Sequence, residues 1–421
     1  MKVLVLSNLY PPHYLGGYEL RCRDVTEALA QRGHQVMVLT SDHGTEVESS
    51  TACEEIRIWR RLKLSGFPGY PWRSLMGTVV PEISNNRVLA AAIAECNPDL
   101  VHVWNLGGLS KSLVHHLQRL DLPTVFDVSD HWIAQSLKAD VWLDWWNREN
   151  ASAFSRCTRA LLTTVGGRSA LDRAAPTSST KQIAFRRIYF CSRRLREITS
   201  EAGYAVGHGE VIHCPVNTES FSGEPRGADQ PLRNLLYAGR LAPDKGIFTA
   251  LRAMAQLKNR CASSLRVYGK GAADYEAELK AYVRAESLPV SFHSATPTEM
   301  PEVYRAHDAL LFTSEWEEPF ALTPLEAIAS GLPVIGTRTG GSAELFEHGA
   351  NALTYGAGNA DELARQILAL AADPYARVRM AQAGQALVRQ KFNLPRIVDQ
   401  IESYLEASLR NWPRPFLTQT A

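Results

Sequence analysis

The chain has no pair of cysteines close enough to form a CxxC metal or redox site. Its seven cysteines, Cys22, Cys53, Cys96, Cys157, Cys191, Cys214 and Cys261, never come nearer than 23 residues to one another. An odd, scattered set reads as reduced thiols of a cytosolic protein, not as a disulfide framework. An excess of one charge is also missing. Lys and Arg number 45 against 44 Asp and Glu, a net +1 over 421 residues, whereas nucleic-acid-binding domains are normally basic. No apolar run approaches the roughly 20 residues of a membrane span. The apolar start, MKVLVL, is stopped by Pro11 and Pro12, too soon for a secretory core segment. A soluble, cytoplasmic protein is expected. Two phosphate-binding signatures are absent: GxxxxGK[ST] anywhere, and GxGxxG after the first apolar run. Their absence counts against a P-loop NTPase and a simple NAD enzyme. No DxD motif or His/Cys cluster stands out.

What is there reads as an alternating α/β chain. Hydrophobic residues make up 45% and charged residues 21%, ordinary globular values, and the length suits two domains of about 200 residues. Residues 3–6 form an apolar run of strand length. A loop with Pro11, Pro12, Gly16 and Gly17 follows, then a helix over 18–31 that Gly33 stops, then a second strand over 36–40. This is a βαβ unit. Further strands are predicted at 56–59, 100–103, 124–128 and 187–191, with helices at 85–94 and 193–202 and a helix-and-loop region over 151–181. The stretch 217–233, holding Gly223, Pro225, Gly227 and Pro231, is the linker candidate. The alternation then restarts, with strands at 234–237, 265–268, 290–293, 309–312 and 334–335 and helices at 247–257 and 274–285. Two doubly wound sheets are expected, with ligand sites at the carboxyl ends of their strands.

Three segments carry candidate chemistry. In residues 315–346, Glu318 and Glu326 stand eight apart. Thr323 is placed to cap a short helix, with Pro324 first inside it and Gly331 and Pro333 closing it. The peptide N–H groups of Phe320, Ala321 and Leu322 then face out at the positive helix end, as an anion site requires. Thr323-Pro324-Leu325-Glu326 is equally a capping box, in which Glu326 reaches back to the cap. The segment Gly239-Arg240 to Lys245-Gly246 follows a strand and can bring a planar guanidinium and a point-charge ammonium to one pyrophosphate. Gly16-Gly17 lets backbone approach a ligand at a helix N-terminus; an ordinary turn is the other reading. Gly269-Lys270-Gly271 is too short a pattern to stand for a dinucleotide site.

Taken in order, the Gly16-Gly17 loop, PDLVHVWN at 98–105, GRLAPDKG at 239–246, the paired glutamates and GLPVIGTRTGG at 331–341 resemble the retaining glycosyltransferases of family 4 over nearly the whole chain. The resemblance implies the GT-B fold, two Rossmann-like domains with a cleft between them: 1–218 together with a C-terminal crossover helix at 396–421 on the acceptor side, and 219–395 binding the nucleotide-sugar donor. It implies that Arg240 and Lys245 bind the donor diphosphate, that Glu326 holds the ribose hydroxyls, and that Glu318 with Phe320, Ala321 and Leu322 faces the donor sugar. Gly16 and Gly17 would approach the diphosphate, and the base would lie near Ser294 and Ala295. No cofactor or metal is implied beyond the nucleoside diphosphate sugar co-substrate.

The chain departs from the family pattern in three places. Relatives often carry His-Asp-x-Trp where this chain has Ser129-Asp130-His131-Trp132, so the catalytic histidine role falls to His131 or to no histidine. Cys214-Pro215-Val216-Asn217 stands where an NGVD segment is usual, and Glu318-Pro319-Phe320-Ala321 where Glu-Gly-Phe-Gly is common. The function implied is transfer of a sugar to a hydroxyl acceptor (a glycan, a lipid-linked sugar or a small molecule) with retention. A GT-B sugar-nucleotide epimerase and a non-catalytic nucleotide-sugar-binding subunit are the alternatives. Arg186, Arg187, Arg193, Arg194 and Arg196, with the aromatic stretch 67–72, admit either peripheral membrane contact or an ordinary solvated face.

Overall fold

The computed structural model describes residues 1–44, 56–66, 75–137, 140–258 and 260–412; Cys53 and the aromatic stretch 67–72 lie outside these residues. The chain forms two compact units, Met1–Ile212 with Val398–Ala421, and His213–Ile397. The Pro- and Gly-rich stretch 217–233 therefore falls inside the second unit.

Among the described residues the first unit holds a seven-stranded parallel sheet. Its strands are β1 Lys2–Leu6, β2 Gln35–Ser41, β3 Ile56–Leu62, β4 Leu100–Val103, β5 Thr124–Val128, β6 Ile188–Phe190 and β7 Glu210–Val211, in the order β3-β2-β1-β4-β5-β6-β7. Val3 lies opposite Val36 on one side and Leu100 on the other. Val3, Leu4, Val5 and Leu6 are fully buried, as strands covered on both faces must be. The helix Gly17–Gln31 ends where Gly33 takes φ +86, a left-handed turn that ends helices readily. From Val398 on, the last helix belongs to this unit. There the Tyr404 hydroxyl bonds both the N–H and the carbonyl of Ile188, each at 2.9 Å.

The second unit holds a six-stranded parallel sheet: β8 Asn234–Ala238, β9 Ser264–Tyr268, β10 Val290–His293, β11 Ala309–Phe312, β12 Val334–Thr337 and β13 Leu353–Tyr355, in the order β10-β9-β8-β11-β12-β13. Its core gathers Leu235, Leu251, Met254, Leu265, Leu311, Ile335 and Ile367 between this sheet and its helices. In both sheets the strand order reverses, between β1 and β4 and between β8 and β11. Chain connections diverge there, which is where doubly wound folds bind ligands, at the strands' carboxyl ends.

Local differences from the sequence expectation have physical causes. The helix predicted over 85–94 runs from Leu75 to Cys96, through Pro81. Its early turns are held by packing, since Val79 and Ile83 rest on a cluster of Trp142, Leu143 and Trp146. The region 151–181 carries the helices Ala153–Thr164 and Gly167–Ala174. The unpredicted β7 and β13 are only two and three residues long, too short to leave a periodic signal. No helix among the described residues is long and apolar enough to cross a membrane.

Candidate functional site

β8 pairs with β11, Leu235 opposite Ala309 and Leu236 opposite Leu310, so the loops leaving these strands emerge side by side at the switch point. They are stitched together. Thr313 Oγ1 donates to the Lys245 carbonyl at 2.9 Å, and the Glu315 N–H donates to the Asp244 carbonyl at 2.9 Å. The approach is so close that a β-carbon on Gly246 would lie 2.0 Å from the Thr313 carbonyl oxygen, at φ +65. Glycine is required there on both counts.

This stitching delivers Lys245 to Glu318. The ammonium donates to Glu318 Oε1 at 2.5 Å, and the Ser314 hydroxyl donates to the same oxygen at 2.6 Å. The Glu318 main chain is fixed from the far side by the Gly340-Gly341 turn. The Gly341 N–H donates to the Glu318 carbonyl at 2.6 Å, and a β-carbon on Gly340 would stand 2.2 Å from that oxygen. Arg240, on the same loop as Lys245, is exposed, its guanidinium 3.6 Å from Asp244. Gly269 and Gly271 have a packing purpose: β-carbons there would meet the carbonyls of Gly239 and Leu241 at 1.9 and 2.1 Å.

The helix after Glu318 is Leu322–Ala329, with Ala321 at its cap and no capping side chain. This corrects two expectations. Thr323 and Pro324 sit inside the first turn, and no capping box forms at Thr323. Glu326 instead accepts a 2.7 Å hydrogen bond from the hydroxyl of Tyr304, a fully buried residue. Leu322 and Ala321 are half-buried, at the positive end of this helix. Phe320 is buried, its ring centroid 5.1 Å from His213 and 5.7 Å from Phe392, and His213 Nε2 lies 3.1 Å from Glu344 Oε2. Ser294 is exposed and Ala295 half-buried, directly beyond the edge strand β10, where the Tyr268 and His293 rings stack at 5.0 Å.

In the first unit, the Gly16-Gly17 loop follows β1 and opens the helix Gly17–Gln31. The buried Glu19 carboxylate accepts the N–H groups of Leu15 at 2.9 Å and Gly16 at 3.0 Å. Burial pushes its pKa up to about 7 against the opposing pull of these hydrogen bonds. Tyr18 donates to Asn8 Oδ1 at 2.5 Å, and Asn8 Nδ2 donates to the Gly107 carbonyl at 2.9 Å, tying this loop to the one after β4. After β5, the Asp130 carboxylate accepts the Trp132 N–H at 2.8 Å and a bond from Asn105 Nδ2. Burial raises its pKa to about 6. His131 is buried at the start of the helix Trp132–Ser136.

The second unit therefore joins Lys245 and Glu318 directly, with Arg240 on the same loop and Glu326 on the helix that follows Glu318. Gly16, Gly17 and His131 belong to the first unit. Sequence reasoning missed Ser314 and Tyr304, which have no local motif, and, though it singled out GLPVIGTRTGG at 331–341, it missed that Gly340 and Gly341 brace Glu318. It also missed Glu19, whose position three residues after Gly16 is the capping-box spacing and was available as a signal. The arginines at 186–196 are largely engaged. Arg186 lies 3.4 Å from Asp121, Arg194 lies 3.7 and 3.2 Å from Glu197 and Glu201, and Arg196 donates to the Gly209 carbonyl at 2.9 Å.

An ammonium, an exposed guanidinium and a helix N-terminus supply positive charge on the segments that follow the central strands β8 and β11, which also carry two carboxylates that can accept from hydroxyls. An anion joined to a polyol is the ligand this arrangement suits. Among the described residues, no three His, Cys, Asp or Glu side chains gather as a metal ion requires.

Known proteins resemble this chain over both units. Residues 223–387 match the family model "Glycosyl transferases group 1", and residues 15–220 match "Glycosyltransferase Family 4". A glycogen synthase of Mycobacterium tuberculosis is 24% identical over 408 residues, covering 93% of this chain and 91% of that protein. Among solved structures, Anabaena HepE in complex with UDP aligns with a TM-score of 0.67 at 20% identity, over 97% of this chain and all of that one. Sucrose-phosphate synthase from Thermosynechococcus elongatus aligns at 0.69 and 20% identity, over 96% and 98%. At these identities the structural likeness establishes the two-domain GT-B fold.

Proposed function

Since the chain belongs to the group 1 glycosyltransferases of family 4, we propose that it moves a glycosyl group from a nucleoside diphosphate sugar to a hydroxyl acceptor with retention and without a metal ion. Lys245 and Arg240 bind the diphosphate, Glu326 the ribose hydroxyls, and Glu318, with the backbone of Phe320, Ala321 and Leu322, the donor sugar. Ser294 and Ala295 border the base. Gly16 and Gly17 meet the diphosphate during turnover, and His131 acts near the donor sugar in the role that Ser129 vacates. The donor-side body is 219–395; the acceptor side is 1–218 with 396–421. The enzyme works in the cytoplasm, in peripheral contact with the membrane.

The observation that carries this reading is the Lys245–Glu318 pair, 2.5 Å apart where β8 and β11 diverge. A leaving diphosphate develops charge on its bridging oxygen, and preorganised cations aimed at that atom lower the barrier without a metal. In the proposed front-face reaction the departing phosphate oxygen takes the acceptor proton, so positioning supplies most of the catalysis. The UDP held by HepE makes uridine donors the first to examine. The test is a thermal-shift panel of UDP-, GDP-, ADP- and TDP-sugars, followed by anomeric analysis of the product from the donor that stabilises. Stabilisation by one class and a product of unchanged anomeric configuration are expected. No stabilisation by any donor, or an inverted product, defeats the proposal.

A further inference from the structure

Phe320 lies between Glu318 and the helix Leu322–Ala329, and its ring rests on rings brought from elsewhere in the second unit. The centroid of His213 stands 5.1 Å from it and that of Phe392 5.7 Å, while His213 and Phe392 meet edge to face at 5.4 Å. All three separations are those of attractive aromatic pairs. Phe320 and Phe392 are buried, whereas the His213 side chain stays 27% exposed. The cluster has a firm seat. His213 is the first residue of the second unit, and Phe392 stands shortly before Ile397, its last. The Val216 N–H donates to the Phe392 carbonyl at 2.8 Å, and the Leu394 N–H donates to the Val216 carbonyl at 3.0 Å. The segments that enter and leave this unit are thereby laced together beside Phe320.

Packing alone would be served by an apolar ring. His213 adds a polar contact, its Nε2 lying 3.1 Å from Glu344 Oε2. An ionised carboxylate only accepts, so Nε2 is the nitrogen that carries the proton. Glu344 closes the short 3-10 turn Gly340–Glu344, and the Gly341 N–H of that turn donates to the Glu318 carbonyl at 2.6 Å. One imidazole therefore touches both segments that flank Glu318. Its ring meets Phe320, two residues beyond Glu318, and its N–H meets the turn that holds the Glu318 carbonyl. Lys245 and Ser314 fix the Glu318 carboxylate, not the chain that follows it, and the helix beyond starts without a capping side chain. The two stretches that depart from the family pattern, 214–217 and 318–321, also come together here, through the residue just before the one and Phe320 within the other. A group that contacts a ligand is only as well aimed as the residues that support it.

We propose that His213 is a positioning residue for the donor sugar, aiming Glu318 and the peptide N–H groups of Phe320, Ala321 and Leu322 without touching the sugar itself. The role rests on the proposed placement of the donor sugar at those groups. Three variants of the full chain test it: His213→Ala, His213→Phe, which keeps a ring against Phe320, and His213→Gln, which keeps an N–H for Glu344. Without nucleotide, hydrogen exchange should quicken at residues 318–322 and 340–344 in the Ala variant and stay at the wild-type rate in β8 and β11. UDP and UDP-glucose then serve as probes, or the matching pair for whichever base stabilises wild type. In the Ala variant UDP affinity should change less than about twofold, because Lys245 and Arg240 are untouched. UDP-glucose affinity should fall about five- to tenfold. Hydrolysis of UDP-glucose, which needs no acceptor but water, should slow about ten- to a hundredfold, as when a reacting group is misplaced by about 1 Å. The Phe and Gln variants should each fall between Ala and wild type, since each keeps one of the two contacts. Wild-type turnover in folded His213→Ala overturns the proposal, as does unchanged exchange at 318–322. So does an equal loss of UDP and UDP-glucose affinity, the mark of general loosening. Failure of wild type to bind any nucleotide sugar brings down the donor-site reading and this role with it, whereas wild-type binding that none of the variants alters defeats the role alone.

Discussion

Replacing Lys245 by alanine separates the structural from the chemical work of the site. The substitution removes an ammonium 2.5 Å from Glu318 Oε1, while Ser314 keeps its 2.6 Å bond to that oxygen. Stripping one partner from a fully buried ion pair costs about 3–5 kcal/mol. Here the Lys245 side chain is 22% exposed, so water reaches the orphaned carboxylate, and a loss of about 1–2 kcal/mol is expected. For a body of this size that lowers Tm by roughly 2–8 °C. Adding Glu318→Gln removes the uncompensated charge and should restore most of the loss. Activity should not follow stability. A cation that contacts the leaving diphosphate contributes about 3 kcal/mol, so transfer should fall about a hundredfold in both the single and the double variant. Thermal unfolding, calorimetry with whichever nucleoside diphosphate stabilises wild type, and initial rates below the variants' Tm separate these effects. Wild-type affinity and rate in folded Lys245→Ala would refute the reasoning.

Three further outcomes are expected. Gly246→Ala places a β-carbon 2.0 Å from the Thr313 carbonyl at φ +65, whereas Gly349→Ala, at φ +79, meets nothing within 4 Å. Denaturant melts should show about 1 kcal/mol lost at Gly349 and at least about twice that at Gly246, with donor binding impaired only at Gly246. Glu19 titrates near 7 in the folded chain, above the usual 4.5. The folded state therefore holds its proton more tightly, and the stability this contributes is full below about pH 4.5 and lost as pH rises through 7. Glu19→Gln does not titrate but keeps an acceptor for only one of the two N–H groups, since Leu15 and Gly16 donate to different carboxylate oxygens; wild type should therefore lose up to about 3 kcal/mol relative to this variant as pH rises from about 4.5 to above 7, read from urea melts at several pH values. Tyr304→Phe removes the 2.7 Å bond to Glu326 Oε2. It should weaken nucleoside diphosphate binding about five- to tenfold with little change in kcat, measured by calorimetry and saturation kinetics.

The amino-acid order alone determined the alternation of apolar runs and amphipathic helices, and through it two parallel doubly wound sheets. Central strands such as β1 and β11 are buried on both faces and so are continuously apolar, a property of local sequence. It also singled out Lys245 and Glu318, because Gly246 and the Glu-x7-Glu spacing are local too. What it could not decide were contacts between segments far apart in the chain. Tyr304 reaches Glu326, Gly340 and Gly341 brace Glu318, and Ser314 shares its carboxylate only because β8, β11 and β12 lie side by side. For the same reason Thr323 looked like a helix cap in sequence. The helix instead begins at Leu322, where the loop after β11 is held by the glycine turn after β12, and local propensity yields to that tertiary restraint.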